Sequence, residues 1–314
     1  MRKLTAKIMK GDKLAVSQAI SLVENNNCGA LELLKSIHSS IKHKAYRIGV
    51  TGPPGVGKST LVNEITLSLR QSNKTVGIVA VDPTSIFSGG AILGDRIRMQ
   101  RLGVDNGVFI RSMATRGYLG GICRTTSEVT DVLEASGKDY IIVETVGVGQ
   151  SEIEIFKTVD ITLVVLSPES GDSIQAMKAG LMEIADIIVV NKADRPGVEA
   201  FVTNLNNTLE ISTKNKIPVM VTQANKAIGV KELVDKLSLY LEQIEKAGLL
   251  EERRIQILKH RVKSLISNGL EDKILKHHKI SAIFDKGLKN IYNGKGNVYE
   301  FRDKILRMVK VKTR

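Results

Sequence analysis

The stretch "GVTGPPGVGKSTLVNEI", Gly49 to Ile65, decides the fold of this chain. It fits the pattern G-x-x-x-x-G-K-[ST], with Gly52, Gly57, Lys58 and Ser59 at the fixed places. In this pattern the backbone N–H groups cradle phosphates, the lysine reaches the outer phosphates and the hydroxyl is available to Mg²⁺. The stretch therefore predicts a phosphate-binding loop.

The flanking residues give this loop the context that it needs. Tyr46 to Thr51 has the composition of a buried strand, and Lys58 to Gln71 has the pattern of a helix. Gly55 and Gly57 let the backbone turn its N–H groups inward, and the helix adds the positive end of its dipole. Strand, loop and helix agree, although the motif alone does not separate ATP from GTP.

Strand-like runs rich in Val and Ile recur along the chain, with helical patterns between them. They are "YRIGVTG", "TVGIVAVD", "DYIIVE", "ITLVVL", "DIIVVNKAD" and "IPVMVT". Nearly continuous hydrophobicity is typical of parallel strands covered on both faces. We therefore expect a doubly wound, mainly parallel α/β sheet of the P-loop NTPase class. The predicted organisation is a helical N-terminal extension over 1–44, a P-loop domain over 45–245 and a basic helical C-terminal arm over 246–314, which we expect to support dimerisation.

Composition narrows the possible partners and the compartment. The chain has 314 residues, is 42% hydrophobic and carries a net charge of +13. Residues 246–314 hold 18 basic and 7 acidic residues, so much of this excess lies in the C-terminal arm. Aromatic residues are only 4% and no nucleic-acid module is present, so we expect no nucleic-acid partner. Cys28 and Cys123 are isolated, which suits a reducing cytoplasm, and no run is long enough to span a membrane.

The strand "DIIVV" ends in "NKAD", which points to the base of the nucleotide. The carboxylate of Asp194 can accept hydrogen bonds from both the N1–H and the exocyclic amine of guanine. Adenine offers no such pair of donors on that edge. Asn191 is expected to tie loops together, and Lys192 to lie along the base. The loop after the next strand is the last one expected to contact the base, through the backbone N–H of its alanine. Its residues are Gln223, Ala224 and Asn225.

Two carboxylates end strands on the phosphate side, Asp82 in "VAVDP" and Glu144 in "VETVG". Mg²⁺ prefers oxygen ligands and keeps several waters, so one or two such groups suffice. Gly147 follows Glu144 and its N–H can sense the γ-phosphate. Asp95 in "LGDRIRMQRL" is a third candidate ligand, with a charge at a helix N-terminus as the alternative interpretation.

These motifs together resemble one family. The runs "VDPTSIFSGGAILGDRIRMQRLGVD", "FIRSMATRGYLGG", "ETVGVGQSE", "GDSIQAMKAG", "EIADIIVVNKADRPG" and "LEERR" resemble the MeaB-type GTPases, the methylmalonyl-CoA mutase-associated G proteins. The resemblance covers about residues 10–265. It implies a cytoplasmic, homodimeric, Mg²⁺-dependent GTPase that binds GTP and GDP. It also implies a chaperone of an adenosylcobalamin-dependent acyl-CoA mutase, which gates cofactor loading and protects the mutase.

The resemblance also assigns roles to individual residues. The segment 167–180 would be a third mobile switch facing the mutase, although it also fits an amphipathic helix with Met177 in the core. Glu169 departs from the family pattern in this segment. The expected phosphate-binding residues are Gly52, Pro53, Pro54, Gly55, Val56, Gly57, Lys58, Ser59, Thr60 and Gly147. The expected metal ligands are Ser59, Asp82, Asp95 and Glu144, the expected catalytic residues are Lys58, Asp82, Glu144, Gln150 and Lys178, and the expected base-binding residues are Asn191, Lys192, Asp194, Gln223, Ala224 and Asn225.

Two other classes of function share the P-loop. A kinase, such as the one linked by name to arginine/ornithine transport in some relatives, would need a base that positions the phosphate acceptor, and no such constellation is evident. A metallochaperone GTPase would need a His/Cys cluster. The five histidines and two cysteines form no ligand set in the sequence, so the mutase chaperone is the preferred hypothesis.

Overall fold

The computed structural model describes most of the chain, including the strands and helices named below. The described residues are 1–41, 45–82, 100–114, 125–145, 147, 150–169, 180–212, 217–275, 278–293 and 295–308. They divide into two compact units, Met1–Arg254 and Ile255–Arg314. Among the described helices, none combines the length and the apolar character needed to cross a membrane.

A parallel seven-stranded sheet forms the centre of the first unit. Its strands are β1 Tyr46–Thr51, β2 Val76–Asp82, β3 Val108–Ala114, β4 Tyr140–Glu144, β5 Ile161–Leu166, β6 Ile187–Val190 and β7 Val219–Val221. They are ordered β3-β2-β4-β1-β5-β6-β7. The first strand therefore lies in the middle, and the chain is wound outwards to both sides of it. Ligands of such sheets bind at the carboxyl ends of the strands near this change of direction.

Helices cover both faces of the sheet. Those of the first unit are α1 Arg2–Ile8, α2 Lys13–Glu24, α3 Ala30–His38, α4 Lys58–Gln71, α5 Gln100–Gly103, α6 Thr126–Ala135, α7 Val198–Ser212 and α8 Val230–Lys246. Short 3-10 helices span Gln150–Lys157 and Ala224–Lys226, and α9 runs over Leu249–Leu275. Alternate residues of β4 pack on opposite faces: Ile142 joins the cluster under α4 and α8, and Val143 joins the cluster under α1, α2 and α6.

The N-terminal helices are packed into the first unit through charged and apolar contacts. Arg47 in β1 donates to Asp131 at 2.8 Å and to Glu134 at 2.7 Å. Burial opposes the charged form of the Arg47 guanidinium, but these two carboxylates outweigh it and raise its pKa. His38 of α3 lies 3.0 Å from the second oxygen of Asp131. Residues 1–41, the described part of the predicted extension, thus share a core with the sheet.

The start of α9 is attached to the amino ends of two strands. Arg254 donates to both oxygens of Asp160, at 2.8 and 2.6 Å, just before β5. Arg253 donates to both oxygens of Asp186, at 2.8 Å each, just before β6. A break at Gly248, with φ +74°, separates α8 from α9. The compact unit ends at Arg254, whereas the predicted domain boundary lies at 245/246.

The second unit contains the rest of α9 together with α10 His278–Tyr292 and α11 Val298–Met308. Phe284 and Phe301 pack with ring centroids 5.8 Å apart. Gly287 makes this approach possible, because a Cβ there would lie 2.2 Å from Phe301 Cε2. Apolar side chains of α9 at a spacing of three and four residues are about half exposed. They are Ile255, Leu258, Val262 and Leu265.

The predicted α/β fold is confirmed. All six predicted strands are present, and β1 and α4 have the predicted bounds. One strand was missed. β3 lies at the edge of the sheet and carries Arg111 and Ser112, so its sequence lacks the continuous apolar run of the others.

Candidate nucleotide-binding site

The loop after β1 has backbone positions that only glycine fits. Gly52 has φ +140°, and a Cβ there would lie 2.1 Å from the carbonyl oxygen of Val165. Gly57 has φ +93°, and a Cβ there would lie 2.4 Å from Asn191 Nδ2. Gly57 is also the N-cap of α4 and makes no side-chain cap, so the first amides of the helix are available to an anion.

Lys58 is buried and its ammonium is held by the loop. Its Nζ donates to the carbonyl oxygens of Gly52 at 2.7 Å and Pro53 at 2.9 Å. Gly147, with φ +82°, packs against the same atoms, since a Cβ on it would lie 2.3 Å from Lys58 Nζ and 2.9 Å from Gly52 O. The residue expected to sense the γ-phosphate therefore lies directly beside the lysine expected to bind phosphate.

Ser59 and Glu144 meet at the carboxyl end of the sheet. Ser59 Oγ donates to Glu144 Oε1 at 2.7 Å, and both side chains are buried. Val50, next to the loop, pairs in register with Glu144, which explains why the first turn of α4 and the end of β4 come together. A hydroxyl and a carboxylate offer two oxygen ligands side by side, which is the donor chemistry that Mg²⁺ prefers. These two residues fit the predicted magnesium site.

Four predicted residues lie wholly or partly outside the described part of the chain. Asp95 and Lys178 fall in segments outside it. The backbone of Asp82 ends β2 and that of Gln150 begins a 3-10 helix, but their side chains are not among those described. Their assignment as metal ligand or catalytic residue stays a prediction.

Asn191 joins the phosphate loop to the base loop. Its Nδ2 donates to the carbonyl oxygen of Val56 at 2.9 Å. Its Oδ1 accepts from Thr222 Oγ1 at 3.1 Å and from the backbone N–H of Ala224 at 3.0 Å. Asn191 is 3% exposed, so these bonds are shielded from water. The role expected for Asn191 from sequence is the role that its contacts allow.

The contacts of the base loops differ in one respect from expectation. The Ala224 N–H, assigned to the base from sequence, donates to Asn191 in this structure. Thr222 was not identified from sequence, although its buried hydroxyl is part of the same junction. Gln223 is buried and bridges to Ile228, whereas Asn225 and Asp194 are exposed. Asp194 can therefore be reached by a ligand.

Lys192 has an unusual backbone conformation and a charged partner. Its φ is +59°, in the left-handed region that residues other than glycine seldom adopt. Its Nζ lies 3.0 Å from Glu169 Oε2, and Arg195 Nε lies 2.9 Å from Glu169 Oε1. Sequence marked Glu169 only as a departure from a family pattern, because its partners are more than twenty positions away.

Most of the chain matches one family of known proteins. Residues 16–279 match the family model described as "Methylmalonyl Co-A mutase-associated GTPase MeaB". A Pyrococcus abyssi protein with GTPase in its name is 45% identical, over 87% of this chain and 86% of its own. The mouse protein named "Methylmalonic aciduria type A homolog, mitochondrial" is 32% identical, over 88% of this chain and 71% of its own.

A solved structure shares the fold. The crystal structure of a "LAO/AO transport system kinase" superimposes with a TM-score of 0.71, at 23% identity, covering 98% of this chain and 97% of its own. At this identity the likeness shows the fold and not the activity.

Proposed function

The chain belongs to the MeaB family of GTPases, and we propose that it acts as a Mg²⁺-dependent GTPase chaperone of an adenosylcobalamin-dependent acyl-CoA mutase. As a member of this family it binds guanine nucleotides and hydrolyses GTP to GDP and phosphate. The observation that carries the proposal is the match to a mutase-associated family over residues 16–279. Methylmalonyl-CoA mutase is the preferred partner, and a cytoplasmic location is part of the same proposal.

The roles proposed for the phosphate side follow from the contacts at the first turn of α4. The amides around Gly57 hold the phosphate oxygens, and Lys58 leaves the carbonyls of Gly52 and Pro53 to bind the outer phosphates. Ser59 and Glu144 would hold Mg²⁺, with Asp82 and Asp95 as further ligands. When bound, Mg²⁺ would neutralise charge that develops on the phosphate oxygens.

The roles proposed for the base side use the loop after β6. Asp194, which is exposed, accepts from guanine N1–H and the exocyclic amine. Asn191 keeps this loop at a fixed distance from the phosphate loop through Val56. A nucleotide that contacts both loops therefore binds to a preformed frame, which lowers the entropic cost of binding.

We propose that Gly147 couples GTP hydrolysis to binding of the partner protein. Its backbone contacts the phosphate loop at Gly52 and Lys58, so loss of the γ-phosphate would change its surroundings. We expect a mutase to bind the face formed by about 83–95 and 167–180, most of which lies outside the described residues. Partner binding would complete the site and accelerate GTP hydrolysis, as in other regulatory GTPases, in which the gain reaches roughly 10³–10⁵-fold.

The test is steady-state phosphate release from GTP with and without a purified mutase from the same organism. Stimulation by the mutase, together with co-purification, is the expected result. Fast turnover that no cobalamin-dependent mutase changes would contradict the chaperone proposal. Transfer of the γ-phosphoryl label to protein would favour a kinase, and tight binding of nickel would favour a metallochaperone.

We also propose that the second unit supports a homodimer. The half-exposed apolar residues of α9 at Ile255, Leu258, Val262 and Leu265 repeat at the three- and four-residue spacing of a helix–helix seam. The double variant Leu258→Asp with Leu265→Asp should sediment as a monomer and still bind GDP. Lys259→Asp, on the same helix, serves as the matched charge control. A wild-type chain that is monomeric at micromolar concentration would rule out this part.

A further inference from the structure

Glu169 uses each of its carboxylate oxygens for a different cation of the base loop. Oε2 lies 3.0 Å from Lys192 Nζ and Oε1 lies 2.9 Å from Arg195 Nε. All three side chains are partly exposed, at 42% for Glu169, 32% for Lys192 and 49% for Arg195. One carboxylate thus joins the end of β5 to the loop that follows β6.

The sheet brings these residues together. β5 and β6 are parallel neighbours, with Leu166 in register with Val190. The backbone N–H of Asn191 donates to Leu166 O at 2.8 Å, which extends the pairing one residue beyond β6. Glu169 and Lys192 therefore leave the same edge of the sheet side by side, and their contact does not depend on the extension of a long loop.

The base loop itself is tightly constrained. Backbone bonds flank Lys192, whose φ is +59°. Before it, Asn191 N–H donates to Leu166 O at 2.8 Å. After it, Ala193 N–H donates to Thr222 O at 3.0 Å, and Arg195 N–H donates to the carbonyl of Lys192 at 3.0 Å. Such unfavourable conformations persist where the surrounding structure determines them, and they are found preferentially at ligand sites. The turn fixes the backbone, and Glu169 fixes the ends of two of its side chains.

Asp194 lies between these two cations in the sequence, within the four residues from Lys192 to Arg195. No ion pair of Asp194 occurs within the described part of the chain, whereas Lys192 and Arg195 both pair with Glu169. A carboxylate that has to accept two N–H groups from a base is most effective when no neighbouring guanidinium occupies its oxygens. Glu169 gives Lys192 and Arg195 another partner.

We propose that Glu169 is a positioning residue for guanine recognition, which keeps Asp194 available by holding Lys192 and Arg195. The inference rests on the proposed role of Asp194 in reading the base. Without the Glu169 carboxylate, Arg195 is free to pair with Asp194 and compete with the base for its oxygens. The loss should fall mainly on the hydrogen bond to the exocyclic amine of guanine.

The test compares GDP with IDP, whose base lacks the exocyclic amine. In the full-length chain, Glu169→Gln should weaken GDP binding by about two- to five-fold, the effect of one exposed ion pair. IDP binding should change less, so that the preference for GDP over IDP falls. Glu199→Gln, an exposed carboxylate at the start of α7, is the matched control and should match the wild type.

A second-site variant separates this mechanism from a general loosening of the loop. In an Arg195→Gln background the competing guanidinium is absent, so Glu169→Gln should have at most half of its effect on GDP affinity. Three results would overturn the proposal. The first is an equal loss of GDP and IDP affinity in Glu169→Gln, and the second is an undiminished effect of Glu169→Gln in the Arg195→Gln background. The third is a GDP affinity of Glu169→Gln within 1.5-fold of wild type, which is about the lower limit for an exposed pair. A wild-type chain with no preference for GDP over IDP or ADP would instead refute the assignment of Asp194 itself.

Discussion

Asn191→Ala tests whether one buried amide holds the two halves of the nucleotide site together. The wild-type side chain donates to Val56 O at 2.9 Å and accepts from Thr222 Oγ1 at 3.1 Å and from Ala224 N–H at 3.0 Å. Alanine removes all three bonds and leaves their partners at a position where the native residue is 3% exposed. The change removes a direct contact with Val56 of the phosphate loop but touches no predicted metal ligand, so its effect on nucleotide binding comes through the position of the loops.

The magnitude follows from the number of bonds. A buried hydrogen bond contributes about 0.5–1.5 kcal/mol net, so three give about 1.5–4.5 kcal/mol of lost stability. The Thr222 hydroxyl can rotate to another acceptor, which places the expectation near 3 kcal/mol. Because Val56 belongs to the phosphate loop and Ala224 to the base loop, the loops also lose their fixed spacing. GDP affinity should therefore fall by at least about tenfold, which corresponds to about 1.4 kcal/mol.

The assay is denaturant unfolding of the nucleotide-free chain, followed by displacement of a fluorescent GDP analogue. Asn207→Ala, on the exposed surface of α7, is the matched control and should change neither quantity by more than a few tenths of a kcal/mol. Asn191→Asp is a sharper variant, because it keeps the acceptor for Ala224 but turns an oxygen toward Val56 O. A loss of stability below about 1 kcal/mol with unchanged GDP affinity would refute the reasoning.

Four other substitutions are expected to have distinct effects. Asp194→Asn should weaken GDP by several-fold or more and favour XDP, because the amide offers a donor where guanine needs an acceptor; unchanged base preference in a competition assay would count against it. Glu144→Gln should reduce the GTP turnover number more than it reduces nucleotide affinity, whereas Lys58→Ala should reduce nucleotide affinity. Equal losses of turnover and affinity in both variants would contradict the separate roles of these two residues. The hydrogen bond to Glu245, with some burial, raises the pKa of Tyr46 to about 12 from its ordinary value near 10. Tyr46 therefore adds stability below about pH 10 that is lost as pH rises toward 12, and the stability difference between wild type and Tyr46→Phe should shrink over that interval in unfolding experiments.

The sequence was most informative where chemistry is local. The loop from Gly52 to Ser59 determines its own geometry, since its glycines, lysine and hydroxyl are consecutive and the following helix begins at Lys58. The end of α8 is also determined locally, because Gly248 takes up a left-handed backbone conformation that stops a helix. In these places the residues that make the structure are neighbours in the chain.

Features that depend on distant residues were less predictable. β3 was missed because Arg111 is polar, yet that side chain is covered by α2, where it bonds to Ser21 Oγ at 3.1 Å and pairs with Glu24. The partners lie about ninety positions away and no periodicity reveals them. The same applies to Thr222, whose hydroxyl is important only because Asn191 lies opposite to it.

The boundary after α8 shows how this limit affects a prediction about the arm. Arg254 makes a bidentate contact with Asp160, whose side chain is only 2% exposed, and also donates to Ala45 O at 2.8 Å. Removing the arm from Gly248 onwards would therefore remove the partner of a buried charge as well as any dimer contact. Breaking one partner of a buried pair costs about 3–5 kcal/mol, reduced here because the Arg254 side chain is 23% exposed.

Arg254→Met in the full-length chain isolates this contribution. It should lower the free energy of unfolding by about 2–4 kcal/mol and leave the sedimentation behaviour of the native chain unchanged. In Arg254→Met, Asp160 keeps one bond, from Arg47 N–H. Arg253→Met should cost less, because Asp186 is less buried than Asp160 and keeps two bonds, from Thr162 N–H and Tyr240 Oη. Lys259→Met, further along α9, serves as the control. The opposite result would be that Arg254→Met dissociates the proposed dimer without lowering the free energy of unfolding. In that case the first turns of α9 would have to be assigned to subunit assembly, and their attachment to β5 and β6 would contribute little to stability.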